Sequence, residues 1–114
     1  MPATDKMRRP FTRRSGRIPK PVPVLLHWQD YSGHDEEELV ETVLVSRFGF
    51  STRCHLRPPA GCKVSIWYPE RRKTGRGRIV YREMTGCERT TQIAVEIVDD
   101  PDFWEIEFPP SGRL

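Results

Sequence analysis

Short runs in which apolar and polar residues alternate are the feature that most constrains the fold of this sequence. One run contains Val22, Val24, Leu26 and Trp28, and comparable runs recur up to residue 108. Alternation with a period of two is typical of a β-strand that buries one face. No window of helical length shows the i, i+3, i+4 spacing of an amphipathic helix. The sequence therefore predicts an all-β fold.

Proline and glycine clusters divide the chain into six or seven expected strands. They cover roughly 22–28, 38–46, 50–56, 64–68, 76–84 and 93–97, with a short final segment at 104–108. Pro21 and Pro23 favour a sheet edge or a strand start for the first of them. Short strands at this spacing predict a small six-stranded antiparallel β-barrel or a sandwich.

Alternation also predicts which side chains face the core. It places Val43 and Val45 on one face of their strand, and Leu44 and Ser46 on the other. In the same way it places Tyr81 on the face of Ile79. The residues that we expect to be buried are Val43, Val45, Ile66, Ile79, Val95 and Trp104.

The charge of the chain is divided unevenly along its length. A chain of 114 residues is the size of one domain. Residues 1–21 carry seven bases and one acid, whereas the remainder carries twelve bases and fifteen acids. We therefore expect a flexible basic arm over 1–20, a barrel over 21–110 and a short tail over 111–114. Such an arm is typical of an anion-binding segment, and a plain solvated tail is the alternative.

Several classes of protein do not fit the composition. No apolar stretch is long enough to span a bilayer, and the N-terminus lacks the apolar region of a signal peptide. Three cysteines make an odd number, which argues against a disulfide framework and favours a reducing cytoplasm. The histidine and cysteine spacings do not match a zinc site. With no nucleophile pair or phosphate loop, we expect a binding protein without cofactor or metal rather than an enzyme.

Two short motifs carry the functional prediction. The first is R-x-x-x-R at Arg13 and Arg17, just before the first strand, and the second is S-x-x-G at Ser46 and Gly49. Two guanidinium groups on an arm are suited to bidentate contacts with phosphate oxygens or with guanine O6 and N7. The serine hydroxyl and a glycine that permits close approach would form the opposite wall.

At these residues the sequence resembles the PilZ domain, the bacterial receptor module for cyclic di-GMP. The family pattern is R-x-x-x-R followed by [D/N]-x-S-x-x-G, and the resemblance covers about residues 8–110. It extends to Gly77-Arg78-Ile79-Val80, to Ile93-Ala94-Val95-Glu96-Ile97 and to Phe103-Trp104. The resemblance implies a six-stranded antiparallel barrel, in agreement with the strand count.

The sequence departs from the family pattern at Leu44, where the family has Asp or Asn. In the family this residue accepts a hydrogen bond from a guanine edge. A guanine N–H against leucine would lose a bond worth about 1–3 kcal/mol. The departure favours an alternative in which the barrel is a protein-interaction module without nucleotide.

The leading hypothesis is a non-catalytic cyclic di-GMP receptor that passes the signal to a partner protein. Its expected ligand-binding residues are Arg13, Arg14, Arg17, Leu44, Ser46, Arg47 and Gly49. A third hypothesis is a single-stranded nucleic-acid binder, for which the sequence offers a second basic cluster at Arg71, Arg72, Lys73, Arg76 and Arg78. The net negative charge of the chain after residue 21 argues against nucleic-acid binding. An ordinary solvated hairpin explains this cluster more simply.

Overall fold

The chain forms a closed antiparallel β-barrel of six strands with one additional short strand. The computed structural model describes residues 16–85 and 89–108. Its strands are β1 (Ile18–Pro19), β2 (Pro23–Gln29), β3 (Asp35–Ser46), β4 (Gly49–Cys54), β5 (Lys63–Tyr68), β6 (Lys73–Thr85) and β7 (Thr90–Ile97). The sheet order is β1-β3-β2-β5-β6-β7-β4, and pairing of β3 with β4 closes the ring. The fold class predicted from the sequence is therefore confirmed.

Strand β3 is long enough to pair with three other strands. Its first part pairs with β2, from Asp35 to Glu41, and its last part pairs with β4. Beyond the end of β2, the same edge of β3 receives β1, with Ile18 opposite Val45. Strand β1 lies within the segment 1–20 that the sequence assigned to a flexible arm. That expectation is corrected for Ile18 and Pro19, because β3 offers free backbone groups there.

A buried threonine fixes the connection between β1 and β2. The hydroxyl of Thr42 accepts a hydrogen bond from the backbone N–H of Val22 at 2.9 Å and donates one to the carbonyl of Lys20. The backbone N–H of Lys20 also donates to the carbonyl of Val43 at 3.2 Å. The residues directly after the arginine motif are therefore held against β3.

Alternating side chains from every strand of the ring fill the barrel. Five of the six residues predicted to be buried are buried, namely Val45, Ile66, Ile79, Val95 and Trp104. Four aromatic rings pack together, with centroid distances of 5.0–5.5 Å, and they are Phe50, Tyr68, Phe103 and Trp104. Edge-to-face contacts of this kind add to the stabilisation from apolar burial.

Two irregularities in the ladder overturn two predictions about side-chain direction. The register of β3 against β4 shifts between Thr42 and Leu44, and that of β6 against β7 shifts between Ile79 and Tyr81. Each shift inserts one residue on one strand, which reverses the direction of the side chains that follow. Val43 is the extra residue of β3 and is 43% exposed, and Tyr81, which follows the shift in β6, is 47% exposed, although both were predicted to face the core.

The expected final strand at 104–108 is also corrected. Residues 101–104 form a turn, and the residues after it are irregular. Trp104 is nevertheless buried, and Ile106 and Phe108 pack against the core. A strand is not formed there because the β3–β4 pairing has already closed the ring, so β4 and β7 offer no free edge.

Candidate functional site

The second arginine of the R-x-x-x-R motif lies directly before β1. Arg17 is exposed, and the pairing of Ile18 with Val45 brings it close to the end of β3. Arg13 and Arg14 lie outside the described residues, so their predicted contacts stay predictions. The described part of the motif thus meets the strand that carries Leu44 and Ser46.

The S-x-x-G motif forms the tight connection between β3 and β4. The Ser46 hydroxyl accepts a hydrogen bond from the backbone N–H of Phe48 at 3.3 Å. Ser46 is only 1% exposed, which corrects the expectation of an outward, open hydroxyl. The reason is that its side chain turns back onto its own loop. Arg47, by contrast, is exposed at the turn.

Gly49 is tied to the aromatic cluster of the barrel. It pairs with Ser46 across the turn, and its carbonyl accepts a hydrogen bond from Trp104 Nε1 at 3.3 Å. The backbone of the S-x-x-G turn is therefore anchored to a buried tryptophan.

Arg17, Leu44 and Ser46 meet at a small depression on the outer surface of the barrel. Its volume is about 60 Å³, and it is lined by Arg17, Leu44, Val45, Ser46, Phe50, Ser51 and Ala94. That volume corresponds to about two water molecules, so it cannot contain a nucleotide base. A nucleotide would have to lie over the depression and use it as a floor. Gly49 and Arg47 do not line it.

The floor continues as a row of side chains across four strands. Leu44 is paired with Ser51, Ser51 with Ala94, and Ala94 with Tyr81. None of the four is buried, which identifies this row as an outer-face row. Adjacent strands are about 4.8 Å apart, so the row extends over about 14 Å, which is longer than one purine base. The sequence analysis missed Ser51, Ala94 and Tyr81, because only the register shows that they align with Leu44.

Tyr81 presents an aromatic ring at the far end of this row. Its hydroxyl donates a hydrogen bond to the carboxylate of Glu83, and this bond raises the pKa of Tyr81. The ring is therefore neutral at physiological pH, with a partner for its polar end. A neutral, exposed ring is suited to stacking against a flat base.

The basic cluster on the β5–β6 hairpin is largely neutralised by ion pairs. Four of its five bases pair with nearby carboxylates. Arg71 lies 3.8 Å from Glu105, and Lys73 lies 3.0 Å from Glu105 and 3.2 Å from Asp100. Arg76 lies 3.6 Å from Asp99, and Arg78 lies 3.0 Å from Glu96. Surface pairs of this kind contribute little stability. They do reduce the positive potential that a nucleic-acid track requires.

A larger cavity of about 640 Å³ lies where β2 and β5 separate. Their pairing ends at His27 and Ser65, and the cavity opens beyond that point. Arg76 and Arg78 line it together with Lys63. Ion pairs with Asp99 and Glu96 reduce the positive charge that Arg76 and Arg78 bring to the cavity.

The described thiols are poor nucleophiles. Burial raises the pKa of the Cys54 thiol to about 12, and burial also raises the pKa of Cys62. Thiols with raised pKa values are protonated at neutral pH and react slowly. Among residues 16–85 and 89–108, no group of three His, Cys, Asp or Glu side chains is placed to hold a metal ion. That part of the chain also contains no helix with the length and apolarity that crossing a bilayer requires.

Comparison with known proteins identifies the fold. No family model and no curated protein matches the chain. Among solved structures, it is similar to the inhibitor of motility MotI/DgrA from Bacillus subtilis, with 16% identity, a TM-score of 0.55, and coverage of 77% of this chain and 43% of that one. The chain thus spans less than half the length of that protein.

A second similar structure is the PilZ domain of YcgR from Escherichia coli with c-di-GMP. It has 12% identity and a TM-score of 0.50, and the match covers 76% of this chain and 78% of that one. The closed six-stranded ring agrees with this likeness. The chain is therefore a domain with the PilZ-like fold.

Proposed function

We propose that this domain is a non-catalytic receptor for cyclic di-GMP that passes the level of this messenger to a partner protein. The observation that supports the proposal most strongly is the meeting of Arg17 with Leu44 and Ser46 at one outer-face depression. These are positions of the two motifs, which lie 27 residues apart in the chain. The likeness to a PilZ domain with c-di-GMP gives further support.

The chemistry of these residues fits a guanine dinucleotide. Arg17 and Arg13 would each offer a planar group with several N–H donors, which matches phosphate oxygens and guanine O6 and N7. Arg14 and Arg47 would add positive charge around the ligand phosphates. The ring of Tyr81 would support a base that lies across Ala94. Arg13 and Arg14 lie outside the described residues, so their contacts with the ligand are predicted from the motif alone.

The domain would act by binding and not by catalysis. The thiol groups of Cys54 and Cys62 are protonated at neutral pH, so neither is an activated nucleophile. A bacterial, cytoplasmic location goes with the proposal, because cyclic di-GMP is the ligand proposed.

A calorimetric titration tests the proposal. We expect cyclic di-GMP to bind at a small integer ratio and cyclic di-AMP to be rejected. Arg17→Ala should lose about 1.5–3 kcal/mol of binding energy, which is a 10- to 150-fold weaker affinity. Arg17 is exposed, so the melting temperature should not change.

Arg8→Ala is the matched control, because Arg8 lies in the same basic segment but outside the R-x-x-x-R spacing. It should leave the affinity nearly unchanged. Equal losses in the Arg8 and Arg17 variants would show diffuse charge attraction and would refute the specific arginine contact. A single-stranded oligonucleotide, titrated at two salt concentrations, distinguishes nucleic-acid binding by its steep salt dependence.

The second candidate function is an interaction module that does not bind nucleotide. Leu44 favours it, because the leucine presents no hydrogen-bond acceptor on the outer face. A folded domain that binds no guanine dinucleotide in the titration above would establish this candidate over the first.

A further inference from the structure

The hydroxyl of Ser51 is buried without a hydrogen-bond partner. It is the one buried side-chain polar atom of this kind among the described residues. Burying a hydroxyl without a partner is unfavourable, and such groups in native proteins usually have a specific explanation. The neighbouring Thr52 shows the ordinary situation, since its hydroxyl donates to the carbonyl of Glu41 at 2.7 Å.

The position of Ser51 connects it to the candidate ligand site. Ser51 is the direct cross-strand neighbour of Leu44 in the β3–β4 ladder, and both line the depression beside Arg17. Directly opposed residues have Cβ atoms about 4.5–5.5 Å apart on the same face. The Ser51 hydroxyl is therefore within one side-chain length of the ligand atoms that an acceptor at position 44 would contact.

We propose that Ser51 is a specificity-determining contact that binds the guanine edge in place of the acceptor missing at Leu44. This inference rests on the proposed function. A serine hydroxyl accepts from the N–H groups of guanine and can also donate to O6, whereas a leucine does neither. The unpaired hydroxyl of Ser51 lies directly across from the leucine at position 44. The hydroxyl would then supply the hydrogen bond to guanine that the leucine lacks.

The proposal requires that side-chain movement exposes the hydroxyl to the ligand. Ser51 Oγ is covered within a depression whose other walls include Arg17 and Leu44. Arg17 is exposed and Leu44 is half-buried, so both lie where rotamer changes are easiest. An Arg17 that turns towards a ligand phosphate would uncover the hydroxyl as part of binding.

A competing explanation is a purely structural hydroxyl that is satisfied by water. The depression has room for about two water molecules, although most of its exposed lining is apolar. The two explanations differ in what removal of the hydroxyl does. A structural hydroxyl contributes to the stability of the free protein. A hydroxyl that has no partner until the ligand binds contributes to affinity and not to that stability.

The experiment compares Ser51→Ala with the parent and with Ser65→Ala. Ser65 is an exposed serine on β5, which is not next to β4 in the ring, so its loss should change neither affinity nor melting temperature. We expect Ser51→Ala to bind cyclic di-GMP roughly 5- to 150-fold more weakly, because a guanine N–H is left unpaired. Its melting temperature should be equal to that of the parent or higher.

Combination with Leu44→Asn separates the contact from a general disturbance of the site. An asparagine at this position supplies the missing acceptor, so Ser51→Ala should then weaken binding less than it does in the parent background. Additive effects would contradict a shared role for the two positions.

The outcomes distinguish this inference from the proposed function. If the parent binds no cyclic di-GMP, both are overturned. If the parent binds it and Ser51→Ala binds equally well, only the role of Ser51 is overturned. A lower melting temperature with unchanged affinity would identify the hydroxyl as structural and would refute the inference on its own.

Discussion

Replacement of Leu44 by asparagine tests how the site recognises guanine. Leu44 is half-buried on the outer face, at the edge of the depression that Arg17 and Ser46 line. Full burial of a leucine contributes about 1.5–3 kcal/mol, so the loss from a half-buried one should be about 1 kcal/mol. For a domain of this size, that loss lowers the melting temperature by about 4 °C. The variant should therefore fold as the parent does.

The effect on affinity should be in the opposite direction. A new acceptor for a guanine N–H is worth about 1–3 kcal/mol where that group is otherwise unpaired, which is a 5- to 150-fold gain. Because Ser51 already offers a hydroxyl, we expect the smaller gain in the parent background and the larger one with Ser51→Ala. Calorimetry gives the affinity, while circular dichroism and the melting temperature verify the fold. A variant that folds normally and binds no better than the parent in either background would refute the assigned geometry.

Two further predictions concern the stability of the barrel. Gly77→Ala should destabilise the fold by about 1–3 kcal/mol in a denaturant titration, since its Cβ would lie 2.6 Å from the backbone oxygen of Glu96 and 2.8 Å from Val95 Cγ1. An unchanged midpoint would show that β6 and β7 are not packed this closely. Acid should also weaken the fold. Hydrogen bonds from the backbone N–H groups of His34 and Asp102 lower the pKa values of Asp30 and Asp100, respectively. Carboxyl groups with lowered pKa values stabilise the native state above the ordinary aspartate pKa, and this contribution disappears as the pH falls through the native values. Stability that is flat from pH 6 to below pH 3 would contradict this assignment.

Much of the barrel follows from the local pattern of the sequence. The alternation around Leu26, Ile66 and Val95 requires one buried face on each strand, and these side chains are buried in the core. Antiparallel strands that each bury one face must enclose a shared interior, as in a barrel or a sandwich. The fold class could therefore be predicted before the order of the strands was known.

The two register shifts could not be predicted in this way. The insertion of one residue at Val43 or near Val80 leaves no mark in the pattern, because apolar residues continue on both sides. The shift is decided by the hydrogen bonds to the neighbouring strand, which are distant in sequence. Tyr81 consequently points outward beside the site, whereas continued alternation placed it in the core.

Only the motif residues of the candidate site could be predicted from the sequence. The spacing of Arg17 from Leu44 and Ser46 suggested that they meet, and all three line one depression. Ser51, Ala94 and Tyr81 come from three strands and align only through register. The one local signal for Ser51 as a site residue was that it is polar and lies two positions after Gly49. Many strands carry a polar residue at such a position.

Nuclear magnetic resonance mapping of cyclic di-GMP onto the amide groups of the domain tests the central claim most directly. We predict saturable shifts that are largest for the amides of Ser46 to Ser51 and for Ala94, with little change at Lys63 and Ser65. Shifts that cluster instead at Lys63, Ser65 and Arg76, or the absence of any shift at saturating ligand, would contradict a cyclic di-GMP site at this face of the barrel.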